Sequence, residues 1–345
     1  MNDLIEIIAE DAQRILQKID FRELHKKKIL ITGASGIIGV NILACLRELT
    51  ATQACDVSVT AVMQSAPLPY LQEFCNFSNC SIVRGDITDV QFCRRFSEAD
   101  YIIHAAGYGQ PGRFMQNPVK TLQLNTSSTL LLFEKLLPGG KFLFISTSEL
   151  YSGLSHPPFT EQQIGTTNTT HPRACYIEGK RCGEAIVNAF REQGVKAKSA
   201  RLALAYGPGT RPDDMRVLNS FIQRALQGKI TLLDHGEAKR TYCYVADAVE
   251  MMWDILLYGK DPIYNVGGNS RTTVKEVAKK IGACLQVPVE FPETSRTLKE
   301  APDDVYLDMS KIKDEFRKTD FVQLDEGLAR TIRWQKALYQ SLETK

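Results

Sequence analysis

Two groups of residues in this chain have the types and spacing of chemical machinery. The first is a glycine-rich run, Gly33-Ala34-Ser35-Gly36-Ile37-Ile38-Gly39. The second is Tyr176 and Lys180, four residues apart in Tyr176-Ile177-Glu178-Gly179-Lys180. A free tyrosine titrates near ~10 and is protonated at neutral pH. A cation one helical turn away, together with a positively charged nicotinamide ring, favours phenolate and pulls that value down. On a helix the spacing puts phenol and ammonium on one face. Tyr176 is then placed to take the proton of a substrate hydroxyl as hydride leaves the same carbon, and to return it in the reverse step. Lys180 is placed to hold the nicotinamide ribose as well.

These groups need elements to hold them. Lys28-Ile29-Leu30-Ile31-Thr32 reads as a buried strand. Gly33 turns the chain, Gly36 admits a pyrophosphate close to the backbone, and Gly39 lets the next helix lie close to the strand. The helix predicted over about 37–49 aims its N-terminal N–H groups of Ile37, Ile38 and their neighbours at the phosphates. A second strand is predicted over 57–63. Gln64 follows it, with neither the acid that contacts a ribose nor an Arg or Lys for a 2′-phosphate, so NAD and NADP both stay open. Asp86, in Gly85-Asp86-Ile87-Thr88, is a candidate acceptor for the adenine amine; a helix N-cap is its alternative role. The strand beginning at Lys141 runs apolar into Ser146-Thr147-Ser148-Glu149. Ligands of open α/β sheets bind at such carboxyl ends. Thr147 is there to hydrogen-bond the oxygen that Tyr176 deprotonates, with Ser148 and Glu149 facing the substrate beside it.

Apolar strands are predicted near 29–32, 57–63, 81–84, 101–105, 141–146 and 196–204, with helices between them, including 118–136 and 174–192. This alternation predicts an α/β fold, a Rossmann-type doubly wound parallel sheet. After Gly207 shorter, proline-interrupted elements predict a smaller C-terminal α/β lobe for substrate, with some segments returning to the main sheet. The expected division is 1–26, 27–206 and 207–345. In the first of these, Leu4, Ile5, Ile8, Ala12, Ile15, Leu16 and Ile19 recur at helical spacing. They predict an amphipathic helix packed on the body, a partner-binding helix being the alternative.

The chain resembles the extended short-chain dehydrogenases/reductases that act on nucleotide sugars. The matching stretches, all within residues 28 to 260, are GASGIIG (33–39), GDIT (85–88), HAAG (104–107), NPVKTLQLNT (117–126), STSELY (146–151), PRACYIEGKR (172–181), ARLALAYGPG (200–209) and KRTYCYVAD (239–247). NPVKTLQLNT, STSELY and PRACYIEGKR most resemble UDP-glucuronate decarboxylases. The resemblance implies that Thr147, Tyr176 and Lys180 are catalytic, with Ser148 and Glu149 at the carbon being processed. It implies NAD held by Gly33, Ser35, Gly36, Ile37, Ile38, Gly39, Asp86, Ile87, Ala105, Ala106, Gly107, Asn125, Tyr176 and Lys180. It also implies substrate contacts from Arg216 and Arg240, and a homodimer built on a four-helix bundle of 118–136 and 174–192. The implied chemistry oxidises C4 of a nucleotide hexuronate to a ketone β to the carboxylate, releases carbon dioxide, and re-reduces the ketone. Glu149 would be the acid–base group at C5 and C6, with a raised pKa.

The chain departs from the decarboxylase pattern at three places. Pro302-Asp303-Asp304-Val305-Tyr306-Leu307-Asp308 has no arginine, Leu204 stands where many relatives have asparagine, and Ser152 replaces a glycine. Dehydratases carry Thr-Asp-Glu in place of Thr147-Ser148-Glu149. A 4-epimerase, a 4,6-dehydratase and a C4 dehydrogenase therefore stay open, and so does a dinucleotide-binding sensor without turnover.

Composition narrows the classes further. With 345 residues, 43% of them hydrophobic, the chain can bury a large core, and a net charge of +2 predicts no nucleic-acid or membrane partner. No apolar run reaches the ~18 residues of a bilayer span. Nine scattered cysteines, without a Cys-x-x-Cys pair, predict reduced thiols and a cytoplasmic location. Cys175, next to Tyr176, reads as a packed small residue. The five histidines lack metal-ligand spacing, so no metal is expected.

Overall fold

The computed structural model describes residues 2–53, 55–293 and 304–343. Six strands appear in chain order: β1 (Lys27–Thr32), β2 (Val57–Met63), β3 (Cys80–Arg84), β4 (Ala99–His104), β5 (Leu136–Thr147) and β6 (Lys196–Leu202). A further strand, Ile263–Val266, completes a seven-stranded sheet in the order Ile263–Val266, β6, β5, β4, β1, β2, β3. Every neighbouring pair is parallel. The helix Ile37–Thr52 connects β1 to β2, and Ala174–Glu192 connects β5 to β6.

The central strands are apolar on both faces because helices cover both. Ile29 and Ile31 of β1 enter one core while Leu30 enters the other, and in β5 Leu143 and Ile145 face opposite to Phe142 and Phe144. β3, at the sheet edge, is mostly exposed, as an edge strand with one neighbour must be. Strand order reverses between β1 and β4, which opens a crevice at their carboxyl ends, the place where open α/β sheets bind ligands.

Three sequence expectations need correction. The helix predicted over 118–136 is two helices, Pro118–Asn125 and Ser127–Phe133, and β5 already starts at Leu136. The break is at Thr126, where φ −115° and ψ −79° distort the helical backbone. There Asn125 Nδ2 donates to Thr121 O (2.7 Å) and Thr126 Oγ1 to Leu122 O (2.8 Å). Such side-chain bonds compete with the helical ladder. The strand predicted over 196–204 ends at Leu202; Leu204–Tyr206 leaves the main sheet and pairs with Tyr242–Tyr244. Asp86 is not a helix N-cap, because Asp89 caps Val90–Arg94 by accepting from Gln91 N.

The N-terminal helix, Asn2–Leu16, buries Leu4, Ile7, Ile8, Ala12, Ile15 and Leu16 in the larger core. It is stapled to the last helix, Leu324–Glu343: Trp334 Nε1 donates to Leu4 O (3.1 Å), and Arg330 bonds both Asp11 and Ile7 O. No helix among the described residues is long and apolar enough to cross a membrane.

Candidate active site

A cavity of about 230 Å³ opens at the crevice. Its walls bring together Gly33, Gly36–Gly39, Ala105 and Gly107 with Ser146–Glu149, Tyr176, Lys180 and Arg216. Gly33 sits at φ +72°, and a Cβ there would lie 2.6 Å from the Ala105 carbonyl, so the turn between β1 and its helix tolerates no side chain. Gly36, the N-cap, offers no side-chain acceptor to the first helical N–H groups. Those groups line the cavity and fit an anion such as a pyrophosphate.

Tyr176, Lys180 and Glu184 recur at intervals of four along the buried face of Ala174–Glu192. This helix lies close on β5 because position 183 is glycine: a Cβ there would meet the Phe144 ring at 2.4 Å. Tyr176 stacks on Phe114 with ring centroids 4.6 Å apart and planes within 4°. Thr147 lies near enough to the Tyr176 hydroxyl to lower its pKa. Thr147 Oγ1 also accepts from Glu149 N at 3.2 Å, fixing the strand end. Lys180 Nζ donates to Ile145 O (2.6 Å) and lies over the Phe144 ring, 4.7 Å from its centroid.

The expected activation of Tyr176 includes a nicotinamide charge, and the protein without it shows the opposite direction. In the protein alone its pKa is pushed up to about 12, chiefly by burial and then by the Glu149 charge, against the pull of Thr147, Arg216 and Arg173. Burial brings Lys180 itself down to about 7, with Glu184 opposing. A positive charge bound beside the phenol would act in the opposite direction, favouring phenolate. Glu149 is raised by burial, as expected in direction, but the opposing charges are Arg173, Arg240 and His171.

Sequence reasoning missed Arg173, which backs the wall residue Glu149, and several residues of the wall itself. Arg173 grips Glu149 with two nitrogens, Nε at 3.0 Å from Oε2 and Nη2 on Oε1, and lies over the Phe114 ring. It directly precedes the Tyr176 helix, and that position was the one local signal available. Tyr108, Gln110, Arg113, Arg211 and Asp214 also line the cavity. The segment 207–216 crosses over it. Asn41 Nδ2 donates to Pro208 O, Arg211 Nη1 to Ser65 Oγ (2.9 Å) and Met215 N to Gln110 Oε1, while Arg113 pairs with Asp213. Nothing local in the sequence marks these long-range contacts.

Other expected residues are not brought to the cavity wall. Ser35 and Ala106 belong to the turns beside it. Ile87 is buried in the smaller core. Asn125 is fully buried under the Tyr176 helix, and its Oδ1 has no hydrogen-bond partner among the described residues. Asp86 pairs with Lys120 and accepts from Thr88 N and Oγ1; burial opposes its charge, but these partners hold its pKa below the usual value. Arg240 lies outside the wall, though its charge acts on Glu149. Cys175 Sγ contacts Phe114 O, and burial raises its thiol pKa. In the arginine-free stretch, residues 302 and 303 lie outside the described residues.

Comparison with known proteins supplies the context. The model of the NAD dependent epimerase/dehydratase family matches residues 29–267. UDP-glucuronic acid decarboxylase 6 of Arabidopsis thaliana is 31% identical over 87% of this chain and 86% of its own. Among solved structures, the UDP-glucose 4-epimerase of Thermotoga maritima, crystallised with UDP-glucose, superposes with a TM-score of 0.77 at 26% identity. The match covers 90% of this chain and 99% of that one. The UDP-glucuronic acid 4-epimerase of Bacillus cereus, in complex with UDP-glucuronic acid and NAD, shares the fold with a TM-score of 0.74 at 22% identity, covering 90% and 100%.

Proposed function

This chain is a member of the NAD-dependent epimerase/dehydratase family, and on that premise we propose that it decarboxylates a nucleotide hexuronate through a C4-ketone. At the coarser level it is an NAD-dependent enzyme that modifies nucleotide-activated sugars. The observation that carries the finer reading is Glu149, half-buried on the cavity wall with Thr147 and Tyr176 and gripped by Arg173.

Bound NAD would supply a hydride acceptor for C4 of the sugar that is restored within the same turnover, so the net reaction would need no external oxidant. The turn Gly33–Gly39 holds the pyrophosphate on helix N–H groups. Tyr176 takes the C4 hydroxyl proton, and Thr147 orients the same oxygen. Lys180, with one face on the Phe144 ring, binds the nicotinamide ribose. A ketone at C4 is β to the C5 carboxylate, so the C5–C6 bond can break with its electron pair held as an enolate. An incoming substrate carboxylate competes with Glu149 for Arg173. Glu149, released, delivers the proton that C5 requires, a role favoured by the burial that raises its pKa. Ser148 and Arg216 line the cavity for the rest of the substrate, and Arg240 adds positive charge nearby.

In this reading 27–206 serves the cofactor, 207–345 mainly the substrate, and 1–26 packs on the body. Val119, 67% exposed, with Leu122 and Leu130 on the paired helices before β5, supports a homodimer through a four-helix bundle. Nine unbridged cysteines support a cytosolic setting.

The test is product mass after incubation with UDP-glucuronate and NAD. Loss of carbon dioxide without net NADH is expected. Unchanged mass in a new chromatographic peak would replace this reading with epimerisation, loss of water from a hexose with dehydration, and stoichiometric NADH with dehydrogenation. Tyr176→Phe should lower turnover by about 10²- to 10⁴-fold with NAD still bound. A sensor module would show no turnover for the substitution to remove.

A further inference from the structure

In dinucleotide-binding α/β folds, the residue after the second strand meets the adenine ribose. A carboxylate there accepts from the 2′-hydroxyl, whereas a nearby arginine accommodates a 2′-phosphate. Here β2 ends at Met63, and Gln64-Ser65-Ala66 follow without an acid. The fold supplies what that local stretch lacks. Arg211, 146 residues further along the chain, reaches back over the cavity and donates Nη1 to Ser65 Oγ at 2.9 Å. The same arginine lines the cavity with Gly33 and Gly36.

The surrounding charges leave this corner positive. Arg211 faces Asp213 with Nε at 3.1 Å from Oδ1 and Nη2 at 3.5 Å from Oδ2, but Asp213 is shared with Arg113. Asp214 is matched by Arg216 with two guanidinium nitrogens. Asp86, at the end of β3 and 3.5 Å from Gln64 Nε2, is matched by Lys120. Two arginines therefore share one carboxylate, while the other two acids are each paired. With its side chain 29% exposed, Arg211 is half-buried rather than inaccessible. Its planar fork suits two oxygens of a phosphate, and the Ser65 hydroxyl is a second donor at hydrogen-bond range.

We propose that Arg211 and Ser65 form a 2′-phosphate subsite, so that this chain accepts NADP as well as NAD. The inference rests on the reading that a dinucleotide lies in this crevice with its adenine ribose at the end of β2. It assigns cofactor selection to a residue from the crossing segment rather than from the strand end.

Calorimetric binding to the full chain tests it, with NAD, NADP, 5′-AMP and 2′,5′-ADP as probes. The wild type should bind NADP within about threefold of NAD, or more tightly. Losing a charge-assisted contact should cost Arg211→Gln about tenfold or more in NADP and 2′,5′-ADP affinity, with NAD and 5′-AMP changed less than about twofold. Ser65→Ala should shift the same two ligands by a smaller factor. Wild-type NADP binding about 100-fold weaker than NAD would overturn the proposal. So would an Arg211→Gln loss shared equally by all four probes, which would make Arg211 a strut of the crossing segment. Failure of both dinucleotides to bind would instead overturn the placement of the cofactor, and the subsite with it. Unchanged melting of both variants separates contact loss from misfolding.

Discussion

Two arginine–carboxylate pairs flank the carboxyl end of β5, and they differ in almost every respect except chemistry. Arg201–Glu184 is the floor pair. The Arg201 side chain is 2% exposed, and each guanidinium nitrogen has a partner: Glu184 for Nε and Nη2, and Tyr151 Oη, Glu161 O and Gln163 O for Nη1. Ser146 Oγ closes the set on Glu184 at 2.5 Å. Arg173–Glu149 is the cleft pair. Its arginine, 13% exposed, spends two nitrogens on one carboxylate and rests its face on Phe114. A saturated, dry pair cannot change partners without leaving charge stranded in a low dielectric. A pair whose carboxylate lines a cavity can exchange that carboxylate for another. Lys180 joins the two regions, one helical turn from Glu184 and itself on the cavity wall.

The largest effect expected from this contrast is on stability. Glu184→Gln strands the Arg201 charge and should cost about 3–5 kcal/mol in denaturant unfolding. Glu149→Gln should do the reverse. Turnover of a nucleotide hexuronate should fall about 10²- to 10³-fold, while stability changes by roughly 1 kcal/mol. Equal destabilisation by both substitutions would collapse the distinction and make Glu149 a structural residue.

The sequence made the glycine turn and the Tyr176 helix of this site more legible than its arginines. Glycines before a helix, a hydroxyl at a strand end, and a tyrosine and lysine one turn apart are local patterns, and the cavity contains all of them. The arginines are not local. Arg173 meets Glu149 across 24 residues, Arg113 meets Asp213 across 100, and Arg211 meets Ser65 across 146. Spacing along a chain carries no record of such closures. Strand ends were illegible for another reason. The apolar run through Leu202-Ala203-Leu204 has no turn residue, yet the chain leaves the sheet there to pair with Tyr242–Tyr244. Asn125 was picked out by resemblance, and its burial beneath the Tyr176 helix gives it packing contacts rather than a place on the wall.

His104 extends the contrast to a neutral floor group, with a smaller effect that depends on pH. Its ring is fully buried at the end of β4, with Nε2 3.0 Å from Leu124 O and Nδ1 2.7 Å from Thr32 Oγ1. A carbonyl only accepts, so Nε2 carries the proton and Nδ1 accepts from the threonine hydroxyl. Burial, reinforced by the Lys180 charge, brings the ring pKa down to about 3. An unfolded histidine titrates near ~6.5. Between those values the unfolded chain binds the extra proton, so the stability His104 contributes is complete above about 6.5 and is lost as pH falls toward 3. The slope approaches about 1.4 kcal/mol per pH unit. Asp11 and Asp254, raised by burial to about 6 and about 7, act with the opposite sign, because they bind protons more readily when folded. Both are present in a His104→Asn variant, so their contribution cancels in a comparison with the wild type. From pH 6.5 to 4.5 the wild type should lose about 2–3 kcal/mol more than the variant in urea unfolding. Parallel pH profiles would show that the ring takes up a proton in the folded state. His104 would then belong with the groups of the cleft, whose charge can change, and not with the fixed floor of Arg201 and Glu184.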